Sequence, residues 1–206
     1  YSFGSASVNI NGTVRIPIIN LSDGSQASFS GDLVENGYLP LYTHYVSKKY
    51  GAGTVMGWVL FTNVAPTINY NISWFKSADM HAPDFTNGFT LTDRTLQLAP
   101  YKAPHTGTNA LGLTNATVEL FNGDLATTLD EAIDLSAKGI SSSNDTVKVT
   151  INNTTGMFSG AFVNPTTSAT DHFTGAVLEP LQNGFGYFLT VGDTNLTSGS
   201  VVLVPQ

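Results

Sequence analysis

The sequence predicts an all-β protein, an antiparallel sandwich or barrel of many short strands with an internal pseudo-repeat. Three observations carry that expectation. Apolar residues recur with period two along most of the chain. Turn signals rich in Gly, Pro, Asn and Asp interrupt it at roughly ten-residue intervals, the rhythm of sandwiches and barrels. The composition is that of packed, uncharged strands, 41% hydrophobic and 11% aromatic with only 11% charged residues, where an ordinary domain carries about 25% charged. At 206 residues the chain is long enough to bury a core, and its hydrophobic content excludes disorder by composition.

Taken in order, Ala6–Ile16 alternates until Pro17 interrupts it, and Leu21-Ser-Asp-Gly-Ser25 is a turn because Asp-Gly accepts positive φ. Strands are expected at Ala27–Leu33, Val55–Phe61, Ile68–Phe75, Phe89–Leu91, Thr95–Leu98 and Ala116–Phe121. Further strands are expected at Thr146–Asn152, Met157–Val163, His172–Glu179, Gly186–Val191 and Ser200–Val204. Residues 128–138 admit two readings. Thr128-Leu-Asp-Glu131 fits a capping box with Gly139 as a C-cap, whereas Ile133 and Leu135 share a face of a strand at Ala132–Ala137. We take the strand, because its flanks are strands and the helix would be short.

The loosest regions, 78–88 and 99–112, hold Pro83, Pro100 and Pro104. A boundary near residue 105 would give halves 1–104 and 105–206. An echo links them: Ala27-Ser-Phe-Ser-Gly-Asp-Leu33 resembles Gly156-Met-Phe-Ser-Gly-Ala-Phe162, and each precedes a Gly-x-Gly strand, Gly51-x-Gly53 and Gly184-x-Gly186. We read one continuous β-domain over 1–206 with these as pseudo-symmetric halves.

Net charge is −7, from 15 acidic and 8 basic residues. Nothing longer than Lys48-Lys49 clusters positive charge, which argues against nucleic-acid binding, where bases must displace counterions from phosphates. Apolar runs such as Val55–Phe61 fall far short of the roughly 20 residues that span a bilayer as a helix. The first residue is Tyr1 and no basic segment leads into an apolar one, as expected of a mature product or a fragment. Cysteine is absent, which removes disulfides, thiol nucleophiles and thiolate metal sites. Asn, Ser and Thr number 17, 18 and 26. Many hydroxyls and amides with few charges point to an extracellular or cell-surface location. Eight Asn-x-Ser/Thr sequons, at Asn11, Asn20, Asn71, Asn115, Asn144, Asn152, Asn153 and Asn195, are candidate glycosylation sites that agree with it.

No catalytic signature emerges. The four histidines, His44, His81, His105 and His172, have no metal-ligand spacing, and no Gly-x-Ser-x-Gly elbow marks a serine nucleophile. Asp124, Asp130, Glu131 and Asp134 lie close in sequence but lack the spacing of a calcium loop and read as a solvated acidic face. Asp79 and Asp84 form another candidate carboxylate pair, of the kind glycoside hydrolysis uses. We expect no enzyme, no metal and no cofactor. Aromatics are more informative. Tyr38, Tyr42, Tyr45 and Tyr50 crowd one stretch and are the candidate ligand-binding residues, since exposed rings stack on sugars. Trp58 and Trp74 lie inside apolar strands and are expected in the core.

Two passages carry a resemblance. Asn36-Gly-Tyr-Leu-Pro-Leu-Tyr42 is followed by Tyr50-Gly-Ala-Gly-Thr-Val-Met-Gly-Trp-Val-Leu-Phe61. Thr155-Gly-Met-Phe-Ser-Gly-Ala-Phe162 is followed by Phe173–Leu178, Gly184-Phe-Gly-Tyr-Phe-Leu189 and Ser198-Gly-Ser-Val201. Together, over residues 20 to 204, they resemble an uncharacterised all-β module found near the C-terminus of large secreted or surface proteins of environmental bacteria; Glu179-Pro-Leu-Gln182 departs from its usual pattern. The resemblance implies fold class and location and brings no catalytic residue.

The functional expectation is a non-enzymatic structural or assembly protein, a β-rich subunit or module of a cell-surface or filamentous structure. Its partners would be copies of itself or a larger surface protein. A carbohydrate-binding module is the alternative, and a secreted hydrolase a third reading. Candidate assembly residues are Tyr1 and Phe3 at one end and Val201, Val202, Leu203 and Val204 at the other. The consecutive apolar run at 201–204 predicts a strand covered on both faces and paired on at least one side.

Overall fold

Period-two patterning becomes hydrogen-bonded ladder throughout the computed structural model. It describes all residues except 63, 83–84, 137–138, 143–145 and 191–196, and at 136 and 139–142 the backbone alone. The protein is all-β, with antiparallel sheets. Among the described residues there is no α-helix, only two 3-10 turns at Glu35–Gly37 and Glu179–Leu181. No helix is long and apolar enough to cross a membrane. The chain divides into two compact units, Gly4–Ala99 and Pro100–Gln206 with Tyr1–Phe3.

β1 (Phe3–Gly4) begins the chain's strands and contributes Gly4 to the Gly4–Ala99 unit, whose other strands are β2 (Ser7–Val8), β3 (Thr13–Asn20), β4 (Gln26–Asp32), β5 (Tyr38–Ser47), β6 (Gly51–Leu60), β7 (Thr67–Lys76) and β8 (Phe89–Leu98). They form two sheets, one built around the β3–β4 pair with β1 and β2 beside β3, the other in the order β5-β6-β7-β8. The alternation expected over Ala6–Ile16 is broken at Asn9–Gly12, where the Asn9 side-chain oxygen accepts the N–H groups of Asn11 and Thr13 at 3.0 and 2.9 Å. Pro17 does not end β3. A register shift between Ile16 and Ile19 absorbs it, because a bulge removes the need for its missing N–H. Val14, Leu39, Leu41, Val55, Val59 and Trp74 lead the core between the sheets. Trp74 donates its indole N–H to the Tyr45 hydroxyl at 2.8 Å and meets Phe89 edge to face at 4.7 Å.

One charged pair lies inside this unit. Lys76 Nζ, at the end of β7, sits 2.6 Å from Asp23 Oδ2 in the turn between β3 and β4, and both side chains are fully buried. The Ser25 N–H and hydroxyl donate to the other carboxylate oxygen of Asp23, and Lys76 also donates to the Tyr50 carbonyl.

In the second unit β9 (Asn115–Asn122), β10 (Leu129–Ser136), β11 (Gly139–Ser142), β12 (Val147–Asn152), β13 (Met157–Val163), β14 (Thr170–Leu178), β15 (Asn183–Leu189) and β16 (Ser198–Pro205) make one nearly closed, barrel-like sheet. Its order is β11-β10-β9-β16-β15-β14-β13-β12. The segment with two readings is strand, since β10 pairs β9 from Leu129 to Asp134; Ala137 and Lys138 lie outside the described residues. β9–β11 and β12–β15 are two meanders, and β16 joins them by pairing with β9 on one side and β15 on the other. The Phe-Ser-Gly echo lies on β4 and on β13, in sheets of different order.

The interior of the barrel-like sheet is built on rings lying over glycines. Phe158 is the cross-strand partner of Gly175, Phe173 of Gly160 and Phe188 of Gly199. In each pair a Cβ on the glycine would collide with the partner's ring. Phe158, Phe162, Phe173 and Phe188 are all nearly inaccessible, and Phe162 meets Phe188 at 5.0 Å. On the outer surface of β15 the rings of Tyr1 and Phe3 lie 5.3 Å from Phe185 and 6.0 Å from Tyr187.

Deleting residues 198–206 removes the strand between the meanders and the buried Val201, Val202 and Leu203. Each side chain contributes about 1.5–3 kcal/mol against a typical total stability of about 5–15 kcal/mol, so the transition of the Pro100–Gln206 unit should be lost from thermal unfolding followed by circular dichroism, while that of the Gly4–Ala99 unit remains. Gly175→Ala forces a methyl group into the Phe158 ring and should lower stability by about 1–3 kcal/mol in chemical denaturation. Tyr45→Phe strands the Trp74 N–H and should cost about 1–3 kcal/mol. Burial pushes the Tyr45 phenol pKa up. A proton held more tightly in the folded state contributes stability below the unfolded value of about 10 and loses it as pH rises further. Wild type should therefore weaken more steeply above pH about 10 than Tyr45→Phe does, read from denaturation midpoints across the alkaline range.

Candidate functional site

Alternation on the β5-β6-β7-β8 sheet sends one set of side chains into the core and leaves the other set on the opposite surface. On β5 the inward set is Leu39, Leu41, Thr43 and Tyr45, and the outward set is Tyr38, Pro40, Tyr42, His44 and Val46. Pro40 is tolerated because β5 is an edge strand of its ladder. Register places Pro40 opposite Trp58, Tyr42 opposite Met56 and His44 opposite Thr54 on β6. His44 Nδ1 lies 3.3 Å from Thr54 Oγ1.

On β7 a register shift between Asn69 and Ile72 changes the alternation, so that Tyr70 and Asn71 both face solvent. A bulge of this kind re-aims a side chain. Buried Asn69 fills the gap in the ladder, accepting the Leu60 N–H at 2.7 Å. The result is a sheet face on which Tyr42, Trp58 and Tyr70 are 62%, 55% and 62% exposed. Tyr38 lies at its edge, 40% exposed. Among the described residues no ring–ring pair involves any of these four. The outward side chains of β5, β6 and β7 include no Asp, Glu, Lys or Arg, so hydrogen bonding on this face falls to His44, Thr54, Asn71 and Ser73.

The four tyrosines thus separate. Tyr38 and Tyr42 belong to the face. Tyr45 is buried against Trp74, and Tyr50 is half-buried beyond the end of β5, with Lys49 Nζ 4.9 Å from its ring centre. Trp58, expected in the core, is on the face instead, while Trp74 is in the core as expected. The apolar run around Trp58 hides its orientation, because Gly57 and Val59 flank it and only the strand's phase tells in from out. Tyr70 carried no signal at all, since the bulge that exposes it leaves no mark in the pattern.

The remaining candidates are dispersed. Tyr1 is exposed and Phe3 half-buried; Val201, Val202 and Leu203 are buried and Val204 half-buried, all in a strand whose two edges are paired within its own sheet. Among the sequons Asn11, Asn71, Asn115 and Asn152 are exposed. Asn20 and Asn153 are half-buried, the latter accepting the Ala110 N–H at 3.0 Å. Asn144 and Asn195 lie outside the described residues, as does Asp84 of the Asp79–Asp84 pair. The acidic segment is not one solvated face: Asp130 and Asp134 are exposed, but Glu131 between them is buried on the side of β10 that carries Ile133. His44, His81, His105 and His172 are all exposed, and no three His, Asp or Glu side chains gather to hold a metal among the described residues. No family model, no curated protein and no solved structure matches this chain.

Proposed function

We propose that the chain is a non-enzymatic, β-rich module of an extracellular or cell-surface structure, and that it binds neutral polysaccharide through the outer face of β5, β6 and β7. The observation that carries this reading is the set of exposed rings, Tyr42, Trp58 and Tyr70, on one uncharged sheet surface. The apolar C–H face of a sugar ring stacks on an aromatic ring, whose hydrophobic area and π-face reward the contact. Neutral hydroxyl and amide groups between the rings suit the hydroxyls of a glycan. The absence of charge on this face favours an uncharged ligand over an anionic one.

A second reading shares the same surface: two copies of the chain, or the chain and a larger surface protein, pack face to face there. Exposed contiguous apolar surface supports it too. Retention on insoluble neutral polysaccharides, run beside light scattering of the free protein, tests both. Binding should fall about tenfold or more for Trp58→Ala and for Tyr42→Ala, the loss expected of central aromatic anchors. Melting temperature should barely move, because exposed substitutions cost less than about 0.5 kcal/mol. Wild type that ignores every polysaccharide but forms oligomers that Trp58→Ala dissolves would replace the glycan by a second copy.

A further inference from the structure

The buried Lys76–Asp23 pair is arranged for more than an ion pair. Lys76 Nζ lies 2.6 Å from Asp23 Oδ2 with both side chains at 0% exposure, which puts the amine within reach of the carboxyl carbon one bond behind that oxygen. The other oxygen, Oδ1, accepts from the Ser25 N–H at 2.9 Å and from the Ser25 hydroxyl. Two fixed donors on one oxygen polarise the carboxyl group and stabilise the charge that gathers there when a nucleophile adds, as an oxyanion hole does. The carboxylate cannot turn away, and Lys76 is held on its other side by the Tyr50 carbonyl. The Tyr45 hydroxyl is fixed by the Trp74 N–H at 2.8 Å. Gly53 leaves room for it, since a Cβ there would collide with that hydroxyl.

We infer that Lys76 and Asp23 condense to an intramolecular isopeptide bond. The Nζ–Cγ bond forms and the Cγ–Oδ2 bond breaks. Two of the three ammonium protons leave with Oδ2 as water, and the third stays on the amide nitrogen, so no oxidant, reductant or co-reactant is consumed. Ser25 acts as the positioning residue that holds Oδ1. Two physical terms favour the product. A buried ion pair keeps two charges out of water at a high desolvation cost, and condensation removes both. The reaction also releases water from a site that excludes it. The bond would tie the turn between β3 and β4 to the end of β7, joining the two sheets of this unit across 53 residues of chain. Cysteine is absent from the sequence, so disulfides cannot supply such a cross-link, and an amide is indifferent to redox conditions.

Intact mass spectrometry of the denatured full chain tests the inference. The expected mass is below the sequence mass by one water, and proteolysis should yield one branched peptide joining the segments around residues 23 and 76. Lys76→Met and Asp23→Ala should each restore the full sequence mass, and Ser25→Ala should lower the converted fraction while Lys76 and Asp23 remain in place. Because mass is read after denaturation, the result does not depend on whether a variant is stable. A succinimide at Asp23-Gly24 would also lose one water, but it would give no branched peptide and would persist in Lys76→Met; that outcome overturns the inference. So does a wild-type chain of full sequence mass whose Lys76 is acylated by an amine reagent once unfolded.

Discussion

A ring lying over a glycine across the strand is the contact on which the barrel-like unit depends. Glycine in a strand costs about 0.5–1 kcal/mol in chain entropy and packs nothing of its own. At Gly160, Gly175 and Gly199 the missing side chain makes room for Phe173, Phe158 and Phe188 to lie flat against the sheet. Each buried ring more than offsets that cost through its hydrophobic area. The geometry also fixes register, because a slip by one residue would put a Cβ beneath a ring and turn the ring outward. Tyr45 over Gly53 repeats the device in the other unit, where the hydroxyl then serves Trp74. These pairs explain why Phe and Gly recur together in Phe158-Ser-Gly160 and Phe173-Thr-Gly175.

That constraint sets how much of the fold was legible. The all-β class and most strands follow from period-two alternation, and β16 from a run too apolar for a one-sided strand. β5 is harder to read as a strand, although Leu39, Leu41, Thr43 and Tyr45 alternate cleanly with outward residues, because Pro40 interrupts the pattern and tyrosines crowd both of its faces. The strand carries both roles, core on one side and candidate surface on the other. Half of the candidate site was therefore within reach, as Tyr38 and Tyr42, but assigned to the whole tyrosine cluster. Trp58 and Tyr70 were not, since one needed the strand's phase and the other a bulge. Sheet order was out of reach in a stronger sense. That β16 returns to β9 across some 80 intervening positions depends on long-range pairing, which local pattern does not encode.

Charge is rationed in a way that matches this division. With only 11% charged residues, the protein places Asp93 and Arg94 on β8, the edge of its sheet, where they discourage further strand pairing. It keeps the outer face of β5–β7 free of charge. The one salt bridge among the described residues is buried, between Asp23 and Lys76, where a mismatch would be expensive: removing one partner of a buried pair costs about 3–5 kcal/mol. The pair admits one arrangement of the β3–β4 turn against β7, and with it one placement of the core between the sheets.

The candidate surface benefits from that rigidity. Binding loses free energy for every side chain and loop it must order, about 0.5–1.5 kcal/mol per mobile side chain. Rings presented from loops incur much of that loss on binding. Here Tyr42 and Trp58 project from paired strands whose opposite faces hold Leu41, Thr43 and Val59 in the core, so their backbone is already fixed when a partner arrives. Tyr70 stands on the bulge that Asn69 pins to Leu60. The spacing of the rings is thus set by ladder geometry, neighbouring strands lying about 4.7–4.9 Å apart and alternate residues of one strand about 6.6 Å apart. The sheet that buries the core on one side holds these exposed rings at ladder spacing on the other.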